Sequence, residues 1–387
     1  MKLLVILPRF PYPIEKGDKL RAFHQIRILS VSFDIILVAI SHDKVNQTDI
    51  DKVKPFCKSI IIVRQRWFAI IYNLLRAVFN GWPLQAGYYY SSRAQHKIDQ
   101  LIESEKPDHL YCQLLRTAAY ARHFKGPKTL DYQDVFSKGV ERRIPTAGPF
   151  MKPLLRLEFK RLQHYEKLLF NLFDNKTIIS EPDRNYIIHP ERSKILIVPN
   201  GVDRKYFSPG KTTITHELIF TGNMGYPPNV DCAEYLVNKV LPIIHLNFPD
   251  ARIMLAGASP HSRVRALASD KVTVTGWIDD IRSCYSSAMI FMAPMQIGTG
   301  LQNKLLEAMS MRLPCITSTL CNAALGAIDG SDILVADTPE KVAAHAVNLL
   351  ENQALRTMIA ENGFYFSRRN YSWESATEKL AVLFRNH

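Results

Sequence analysis

The residues best suited to chemistry lie in one short segment, where Gly298 and Gly300 precede Lys304 and Glu307. Glycines let backbone N–H groups approach a ligand closely, and the start of a helix favours an anion. Lys304 and Glu307 are three residues apart, so both lie on one face of the helix predicted over 303–311. This arrangement suits a nucleoside diphosphate attached to a sugar, because the cation faces the diphosphate and the carboxylate accepts hydrogen bonds from sugar hydroxyls.

These side chains need a rigid frame, which the surrounding pattern predicts. Short apolar runs alternate with helical stretches, and this favours parallel sheets covered by helices on both faces. Proline, glycine and polar residues cluster at 199–210 and mark a boundary. We therefore predict an α/β protein with two Rossmann-like domains, 1–198 and 199–370, and a final amphipathic helix over 371–387. The predicted strands are 3–7, 34–40, 59–63, 109–112, 176–180, 195–198, 218–221, 251–256, 272–275, 288–293, 315–318 and 333–335, and the longer predicted helices are 19–30, 92–105, 152–173, 229–247, 303–311 and 339–350.

Glycines follow several of the predicted strands. Ligands of open parallel sheets bind at the carboxyl ends of the strands. We therefore expect a site in a cleft between the two domains, lined by the loops that carry Gly17, Gly222, Gly257, Gly276 and Gly298.

The segment 298–317 resembles the donor-binding segment of the GT-B glycosyltransferases of family GT4. More narrowly, it resembles bacterial sugar transferases of the PEP-CTERM and exopolysaccharide type. Segments 11–18, 198–209, 220–231 and 272–277 are similar to the same family in order and spacing. The resemblance implies a GT-B fold whose two sheets face a central cleft and whose final helix crosses back to the N-terminal domain. It also implies retaining, metal-independent transfer of a sugar from a nucleotide-sugar donor to an acceptor hydroxyl, with no cofactor. The implied acceptor is a lipid-linked or cell-surface glycan in exopolysaccharide, capsule or lipopolysaccharide assembly.

The resemblance gives roles to residues of the donor segment. Glu307 accepts hydrogen bonds from the nucleotide ribose, and Lys304 neutralises the diphosphate. The alternatives are a glutamate favoured only by the helix dipole and a solvated surface lysine. Many family members have a glutamate that touches the donor sugar where this chain has Thr299, which offers a hydroxyl without a charge or is simply a turn residue. The other predicted donor-binding residues of this segment are Gly298, Gly300 and Asn303.

A second glycine loop, 222–229, is predicted to bring Gly222, Asn223 and Met224 to the donor. Relatives carry an arginine and a lysine here that clamp the diphosphate, and this loop has neither. The phosphate charge would then fall on Lys304 and the helix N-terminus, with Arg9, Lys16 or Arg282 as further candidates. The alternative is a structural turn in which Asn229 caps the next helix.

The ends of two further predicted strands, 251–256 and 272–275, belong to the predicted donor site. Trp277 and Ile278 follow a glycine and resemble the hook that recognises the nucleotide base, with the indole stacking near it. Packing of Trp277 in the core is the alternative. Gly257 lies at the other strand end.

The predicted catalytic residues lie mostly in the N-terminal half. Gly17 and Asp18 resemble the family's glycine loop at the reaction centre, where Asp18 bonds a sugar or acceptor hydroxyl or else caps the following helix. Asp131 and Asp134 lie near a strand end, where a carboxylate could act on an acceptor hydroxyl or serve as a turn or N-cap residue. Thr299 completes this set.

The basic charge is confined to one half of the chain. Residues 1–200 hold 32 Lys+Arg and 19 Asp+Glu, whereas 201–387 hold 17 of each, so the net charge of +13 belongs to the first half. This favours an anionic partner, which is nucleic acid, an acidic glycan or the acidic lipid headgroups at the inner face of the cytoplasmic membrane. The alternative is an ordinary soluble surface with an excess of basic residues. Segments 64–76 and 152–167 mix basic and apolar residues, as membrane-surface helices and ordinary packed helices both do.

Other features limit the function class. The six cysteines show no metal-ligand spacing, which predicts reduced thiols and no metal site. No apolar run reaches membrane-spanning length. The apolar run at the N-terminus is too short for the core of a signal peptide. We therefore expect a cytoplasmic protein that is at most peripheral on the membrane. No nucleic-acid-binding motif is recognisable, so nucleic acid is not an expected partner.

Two other functions fit the same pattern. A nucleotide-sugar epimerase of this fold would change the sugar without releasing nucleoside diphosphate. A non-catalytic glycan-binding relative would explain Thr299 and the basic half, although the intact Lys304 and Glu307 argue against it.

Overall fold

The computed structural model describes residues 1–42, 44–65, 67–145, 147–210, 213–297 and 300–386. The chain divides into two compact units, Met1–Pro199 with Trp373–His387, and Asn200–Ser372. Each unit is built on its own parallel sheet, and this confirms the prediction of an α/β fold with two Rossmann-like domains. In these ranges, no helix is long and apolar enough to cross a bilayer.

The first unit contains one sheet. Its strands in the described part of the chain are β1 (Lys2–Leu7), β2 (Asp34–Ser41), β3 (Ser59–Arg64), β4 (His109–Gln113), β5 (Lys128–Asp131), β6 (Asn175–Ile178) and β7 (Leu196–Ile197). All neighbours pair in parallel, in the order β3-β2-β1-β4-β5-β6-β7. The winding direction reverses between β1 and β4, and such a reversal leaves a crevice at the carboxyl ends of the two strands.

Helices cover both faces of this sheet. They are α1 (Gly17–Leu29), α2 (Gln47–Val53), α3 (Trp67–Phe79), α4 (Leu84–Tyr89), α5 (Ser92–Glu105), α6 (Phe136–Arg143), α7 (Met151–Leu172) and α8 (Glu181–Tyr186). Successive side chains of a strand point to opposite faces. Accordingly Leu4 and Ile6 of β1 enter one core, whereas Leu3 and Val5 enter another. Burial on both faces explains why β1 is apolar at nearly every position.

The second unit repeats the same winding. Its strands are β8 (His216–Thr221), β9 (Ile253–Ala256), β10 (Val272–Val274), β11 (Ala288–Ala293), β12 (Cys315–Thr317) and β13 (Leu334–Val335), in the order β10-β9-β8-β11-β12-β13. Its helices are α9 (Pro227–Tyr235), α10 (Leu241–Ile244), α11 (Ser262–Arg265), α12 (Arg282–Ser286), α13 (Asn303–Ser310), α14 (Thr319–Leu325), α15 (Pro339–Glu351) and α16 (Gln353–Asn370). Here the order reverses between β8 and β11, so the expected ligand position lies beyond Thr221 and Ala293.

The last helix, α17 (Trp373–Arg385), belongs to the first unit. It packs along α1, and the Trp373 ring stacks on His24 with centroids 4.8 Å apart. Leu380 and Phe384 enter the same core as Leu3 and Val5 of β1. The first sheet is therefore covered on one face by α1 and α17, which are far apart in sequence.

Candidate active site

The clearest candidate site lies where the second sheet reverses its order. β8 leads into the loop 222–226, and β11 leads through 294–302 into α13. Lys304 and Glu307 both stand on α13. The fold thus brings the two predicted donor-binding side chains to the carboxyl edge of β8 and β11.

Lys304 is held between the two loops. Its Nζ donates to Asn229 Oδ1 at 2.5 Å and lies 4.7 Å from the centroid of the Phe220 ring. The Met295 Sδ is 3.9 Å away. Burial lowers the pKa of Lys304, partly offset by nearby Cys232, Cys321 and Glu307. Among the described residues Lys304 forms no ion pair, so its positive charge faces a site with no counter-charge in contact.

Glu307 stands one turn farther along the same helix. Its Oε2 accepts a hydrogen bond from the Tyr285 hydroxyl at 2.8 Å, and that hydroxyl lies 2.7 Å from Thr221 Oγ1. Burial raises the pKa of Glu307, although the Tyr285 bond and the charge of Lys304 act in the opposite direction. Tyr285 fixes one carboxylate oxygen, and within the described residues Oε1 has no hydrogen-bond donor. That oxygen is available to a ligand hydroxyl.

The start of α13 adds a partial positive charge to the site. Its N-cap residue is Gln302, whose side chain donates to Gly300 O at 3.3 Å and does not cap the helix. The first N–H groups of a helix have no partner inside the helix and bind anions well. An anion beside Lys304 would meet the positive end of the helix as well.

Glycine is required where the neighbouring strand-end loops meet. A Cβ on Gly222 would lie 2.7 Å from Asn229 Nδ2 and 3.3 Å from Lys304 Nζ. A Cβ on Gly257 would lie 1.8 Å from the backbone oxygen of Gly222. Both glycines therefore allow the close contacts that place Lys304, and Gly257 acts by packing against Gly222.

The loop after β8 differs in detail from expectation. α9 begins at Pro227, so Asn229 lies inside the helix, and the predicted N-cap role is wrong. Asn229 Nδ2 instead donates to Asn223 O at 2.9 Å while its Oδ1 holds Lys304. Asn223 Oδ1 accepts from Gly225 N at 2.9 Å. Met224, predicted to bind the donor, points its side chain into the core and is 0% exposed.

The other donor-side residues are distributed along the same edge. Trp277 is 62% exposed, so the alternative of core packing is wrong, and its Nε1 donates to Asp279 Oδ1 at 2.9 Å. Ile278 packs against the edge of the core. Asn303 Oδ1 accepts from Asn200 Nδ2 at 3.2 Å.

The glycine turn before α13 is only partly described. Gly298 and Thr299, named above for donor binding and catalysis, lie outside the described residues. Gly300 has a φ of 98°, a conformation that favours glycine.

The first unit gathers polar residues at its own reversal point, after β1 and β4. Asp18 lies in the first turn of α1, and Arg9 Nη1 contacts its two oxygens at 3.2 and 3.1 Å. The N-cap residue of α1 is Lys16, so the alternative of Asp18 as a cap is wrong. Gly17 begins the helix, and Gln113 Nε2 donates to the backbone oxygen of Asp18 at 3.2 Å. Asp18 is thus tied to the ends of β1 and β4.

Two aromatic side chains that the sequence did not single out, Tyr89 and Phe136, complete this edge together with Arg9 and Arg116. Arg9 Nη2 donates to the Tyr89 hydroxyl at 3.1 Å, and the Arg116 guanidinium lies 4.8 Å from both the Tyr89 and Phe136 rings. Burial lowers the pKa of Arg116, and the charge of Arg9 adds to this. The backbone at Leu114 takes a φ of 64°, a strained conformation for a branched residue directly after β4. No local sequence signal joins these residues, since their contacts link α4, the turn after β4 and α6.

The two other predicted catalytic carboxylates have different environments. Asp131 is completely buried, and its oxygens accept from Arg21 Nε at 2.6 Å, Tyr111 at 2.9 Å and Thr177 at 2.8 Å. It cannot reach an acceptor hydroxyl in this arrangement, and its role is to hold the core. It is the last residue of β5, not a turn or N-cap residue. Asp134, by contrast, is exposed.

Comparison with known proteins identifies the second unit. Residues 215–352 match the family model described as glycosyl transferases group 1. The chain carries a group 1 glycosyltransferase domain. It is accordingly a glycosyltransferase, and the resemblance predicted from the segment 298–317 is confirmed at this level.

Similar proteins extend over the whole length. An uncharacterized 44.6 kDa protein in the cps region of Klebsiella pneumoniae is 21% identical over 393 residues, which is 96% of this chain and 96% of that protein. HepE of Anabaena, solved in complex with UDP, is 12% identical with a TM-score of 0.71 and 100% of both chains covered. Sucrose-phosphate synthase of Thermosynechococcus elongatus is 14% identical with a TM-score of 0.69, covering 100% of this chain and 99% of that one. The solved structures show that this glycosyltransferase has the GT-B fold.

Proposed function

We propose that this glycosyltransferase moves a sugar from a nucleoside-diphosphate sugar to an acceptor hydroxyl on a lipid-linked or cell-surface glycan, with retention of configuration and without a metal ion. The structurally similar HepE has been solved with UDP and with UDP-glucose, which supports a nucleotide-sugar donor. The Klebsiella relative from the cps region supports a role in capsule or exopolysaccharide assembly.

The observation that carries the proposal is the environment of Lys304. An ammonium group without an ion-pair partner in the described residues stands beside the uncapped start of α13, at the reversal point of a parallel sheet. Because burial disfavours its charge, an incoming anion gains more from Lys304 than from a solvated lysine. A diphosphate at this point leaves Glu307 Oε1 to accept from the ribose hydroxyls, and exposed Trp277 to stack on the base.

The transfer step follows from this placement. The bond between the anomeric carbon and the diphosphate oxygen breaks, and the acceptor oxygen bonds to the same carbon on the same face. The acceptor proton passes to the departing phosphate oxygen. Lys304 and the start of α13 stabilise the negative charge on the leaving diphosphate, a role that a divalent cation has in other enzymes.

The remaining predicted residues take supporting roles in this proposal. Asp134 is the exposed carboxylate that can accept a hydrogen bond from the acceptor. Asp18, held by Arg9, fixes the loop that leads from β1 to Gly17 at the start of α1.

The first test is a thermal-shift screen of the full chain with UDP, GDP, ADP, TDP and their sugar conjugates. A ligand that binds only the folded protein raises the unfolding temperature by mass action. We expect one nucleotide to stabilise the wild type and the Lys341→Gln control, but not Lys304→Gln. Equal shifts in both variants would contradict the assignment of Lys304.

The second test follows the products formed from the stabilising donor and a membrane extract. Release of nucleoside diphosphate together with a new glycosidic bond supports transfer. Conversion of the donor sugar without release of nucleoside diphosphate would indicate an epimerase and refute the proposal.

A further inference from the structure

One helix of the first unit exposes far more apolar surface than a packed helix normally does. α3 has the sequence WFAIIYNLLRAVF, and only Asn73 and Ala77 are buried. Its exposed large apolar residues are Trp67 (73%), Phe68 (52%), Ile71 (51%), Tyr72 (66%), Leu75 (56%), Val78 (45%) and Phe79 (85%). Contiguous exposed apolar surface of this kind marks an interaction site.

The exposed residues form one continuous face. At about 100° per residue, the side chains from Trp67 to Phe79 named above fall within an arc of roughly 140°. Arg76 lies at one border of this arc and is itself exposed. Tryptophan and tyrosine at the face and arginine at its border are typical of helices that lie in a membrane interface.

The face continues onto the neighbouring helix α7. Arg161 of α7 donates to the backbone oxygen of Val78 at 2.9 Å. Leu157 and Leu154 stand one and two turns before Arg161, so they share its side of α7, and both are 45% exposed. Phe150, at the start of α7, is 95% exposed.

The stretch of sequence that contains α3 carries charge of one sign. Residues 52–98 contain eight Lys+Arg and no Asp or Glu. Arg64 precedes α3 and Arg76 lies near its end, and both are exposed. An acidic surface matches this segment, and Lys or Arg side chains near a membrane surface are attracted by anionic lipids.

A small cavity opens beside the C-terminal end of α3. It has a volume of about 60 Å³ and is lined by Arg76, Arg122, Trp82, Asn80 and Tyr90, among others. Arg122 Nη2 donates to the Tyr90 hydroxyl at 2.5 Å, which fixes the guanidinium at the cavity. Two arginines beside so small a cavity suit a single phosphate group, because each guanidinium can give two parallel hydrogen bonds to phosphate oxygens.

We propose that α3 and the adjoining side of α7 dock the protein on an anionic phospholipid bilayer, with the apolar face of α3 in the interface and a lipid phosphate between Arg76 and Arg122. A lipid surface fits better than a protein partner because the apolar face is bordered by cations and lies within a segment that has no acidic residue. The inference rests on this surface alone and does not depend on the transfer reaction.

The test is co-sedimentation of the full chain with vesicles of phosphatidylcholine, alone or mixed with phosphatidylglycerol. We expect binding to the mixed vesicles that weakens with salt. Ile71→Gln/Leu75→Gln should reduce the partition coefficient at least about tenfold, because it removes apolar contact at the centre of the face. Arg76→Gln/Arg122→Gln should reduce it by about fivefold per charge, and only on vesicles with phosphatidylglycerol.

Matched controls separate this surface from general effects. Val31 and Ile188 are exposed apolar residues elsewhere in the same unit, and Lys125 and Arg192 are exposed cations. Val31→Gln/Ile188→Gln and Lys125→Gln/Arg192→Gln should bind vesicles like the wild type, and nucleotide-induced thermal shifts should be the same for all variants. The proposal fails if folded wild type does not bind mixed vesicles, or if the α3 variant binds as the controls do. It also fails if sedimentation equilibrium shows that α3 instead joins two copies of the chain.

Discussion

Exchange of Glu307 for glutamine isolates the carboxylate charge at the donor site. The side chain keeps its size, and the amide can still accept from Tyr285, which bonds Oε2 at 2.8 Å. The hydrogen bonds that a ribose would give to Oε1 then lose their charged acceptor. Hydrogen bonds to charged groups contribute about 1.5–3 kcal/mol, so the Kd for the donor nucleotide should rise about 10- to 150-fold.

Folding should not suffer from the same change. Burial raises the pKa of Glu307, which means that the folded protein disfavours its charge. A neutral amide avoids that cost, and the unfolding temperature without ligand should be equal to or higher than that of the wild type. Weaker binding with unchanged stability would separate a ligand contact from a structural role.

The assay is isothermal titration calorimetry with the nucleotide selected by the thermal-shift screen. Glu351→Gln serves as the control, because Glu351 is exposed at the end of α15. If Glu307→Gln binds the nucleotide within twofold of the wild type, the carboxylate does not contact the ligand, and the assignment of the ribose to α13 is wrong.

Three further outcomes are expected. Donor affinity should be highest at a pH between the pKa of Glu307, which burial raises, and the pKa of Lys304, which burial lowers. It should decline as the pH falls through the pKa of Glu307, because the carboxylate is protonated, and as the pH rises through the pKa of Lys304, because the ammonium loses its proton. Calorimetry across pH measures both declines. Asp131→Asn should destabilise the first unit by about 3–5 kcal/mol, since it leaves Arg21 buried without its partner, while nucleotide still binds; selective loss of turnover at normal stability would restore a catalytic role. Burial raises the pKa of Glu166 to about 7, so between about pH 4 and 7 the folded state keeps a proton that the unfolded state has lost. The free energy of unfolding should therefore fall by up to about 4 kcal/mol as the pH rises from about 4 through 7. Urea unfolding of Glu166→Gln should not show this dependence on pH.

The donor segment could be predicted from sequence because its information is local. Lys304 and Glu307 are one helical turn apart, and a buried apolar strand precedes them at a fixed distance. The helix start and the strand end therefore place both side chains at the sheet edge whatever the rest of the chain does. The family resemblance in the same residues gave the chemistry.

The misassigned residues depend on contacts between distant segments. Asp131 reads as a carboxylate at a strand end, but its partner Arg21 is 110 positions away. The strand β5 that carries Asp131 was not among the predicted strands, since Lys128–Asp131 holds a single large apolar residue and is buried only through its neighbours β4 and β6. Asn229 is predicted as the N-cap, whereas α9 already begins at Pro227, because proline suits the first helical position. The start of α9 is therefore predicted about one turn too late in the sequence.

The meeting of aromatic and cationic side chains at the edge of the first unit could not be predicted, for a similar reason. Tyr89, Arg116 and Phe136 come from three separate elements and meet only in the folded unit. None of them belongs to a recognisable local pattern. Met224 is an error of the other kind, a residue predicted to bind the donor that does not reach it. It lies in a glycine loop with the pattern of a ligand-binding loop, but its own side chain packs in the core.

The position of α17 in the first unit determines the order in which the two units can complete their folding during synthesis. Asn200–Ser372 is one uninterrupted stretch and can fold as soon as it leaves the ribosome, whereas the first unit lacks Leu380 and Phe384 until the segment after Ser372 has been translated. The first unit therefore completes its core after the second unit has been translated, and the apolar side chains over β1 stay uncovered until then. A stop codon shortly after Ser372 would damage the N-terminal unit and leave the unit next to it in sequence intact.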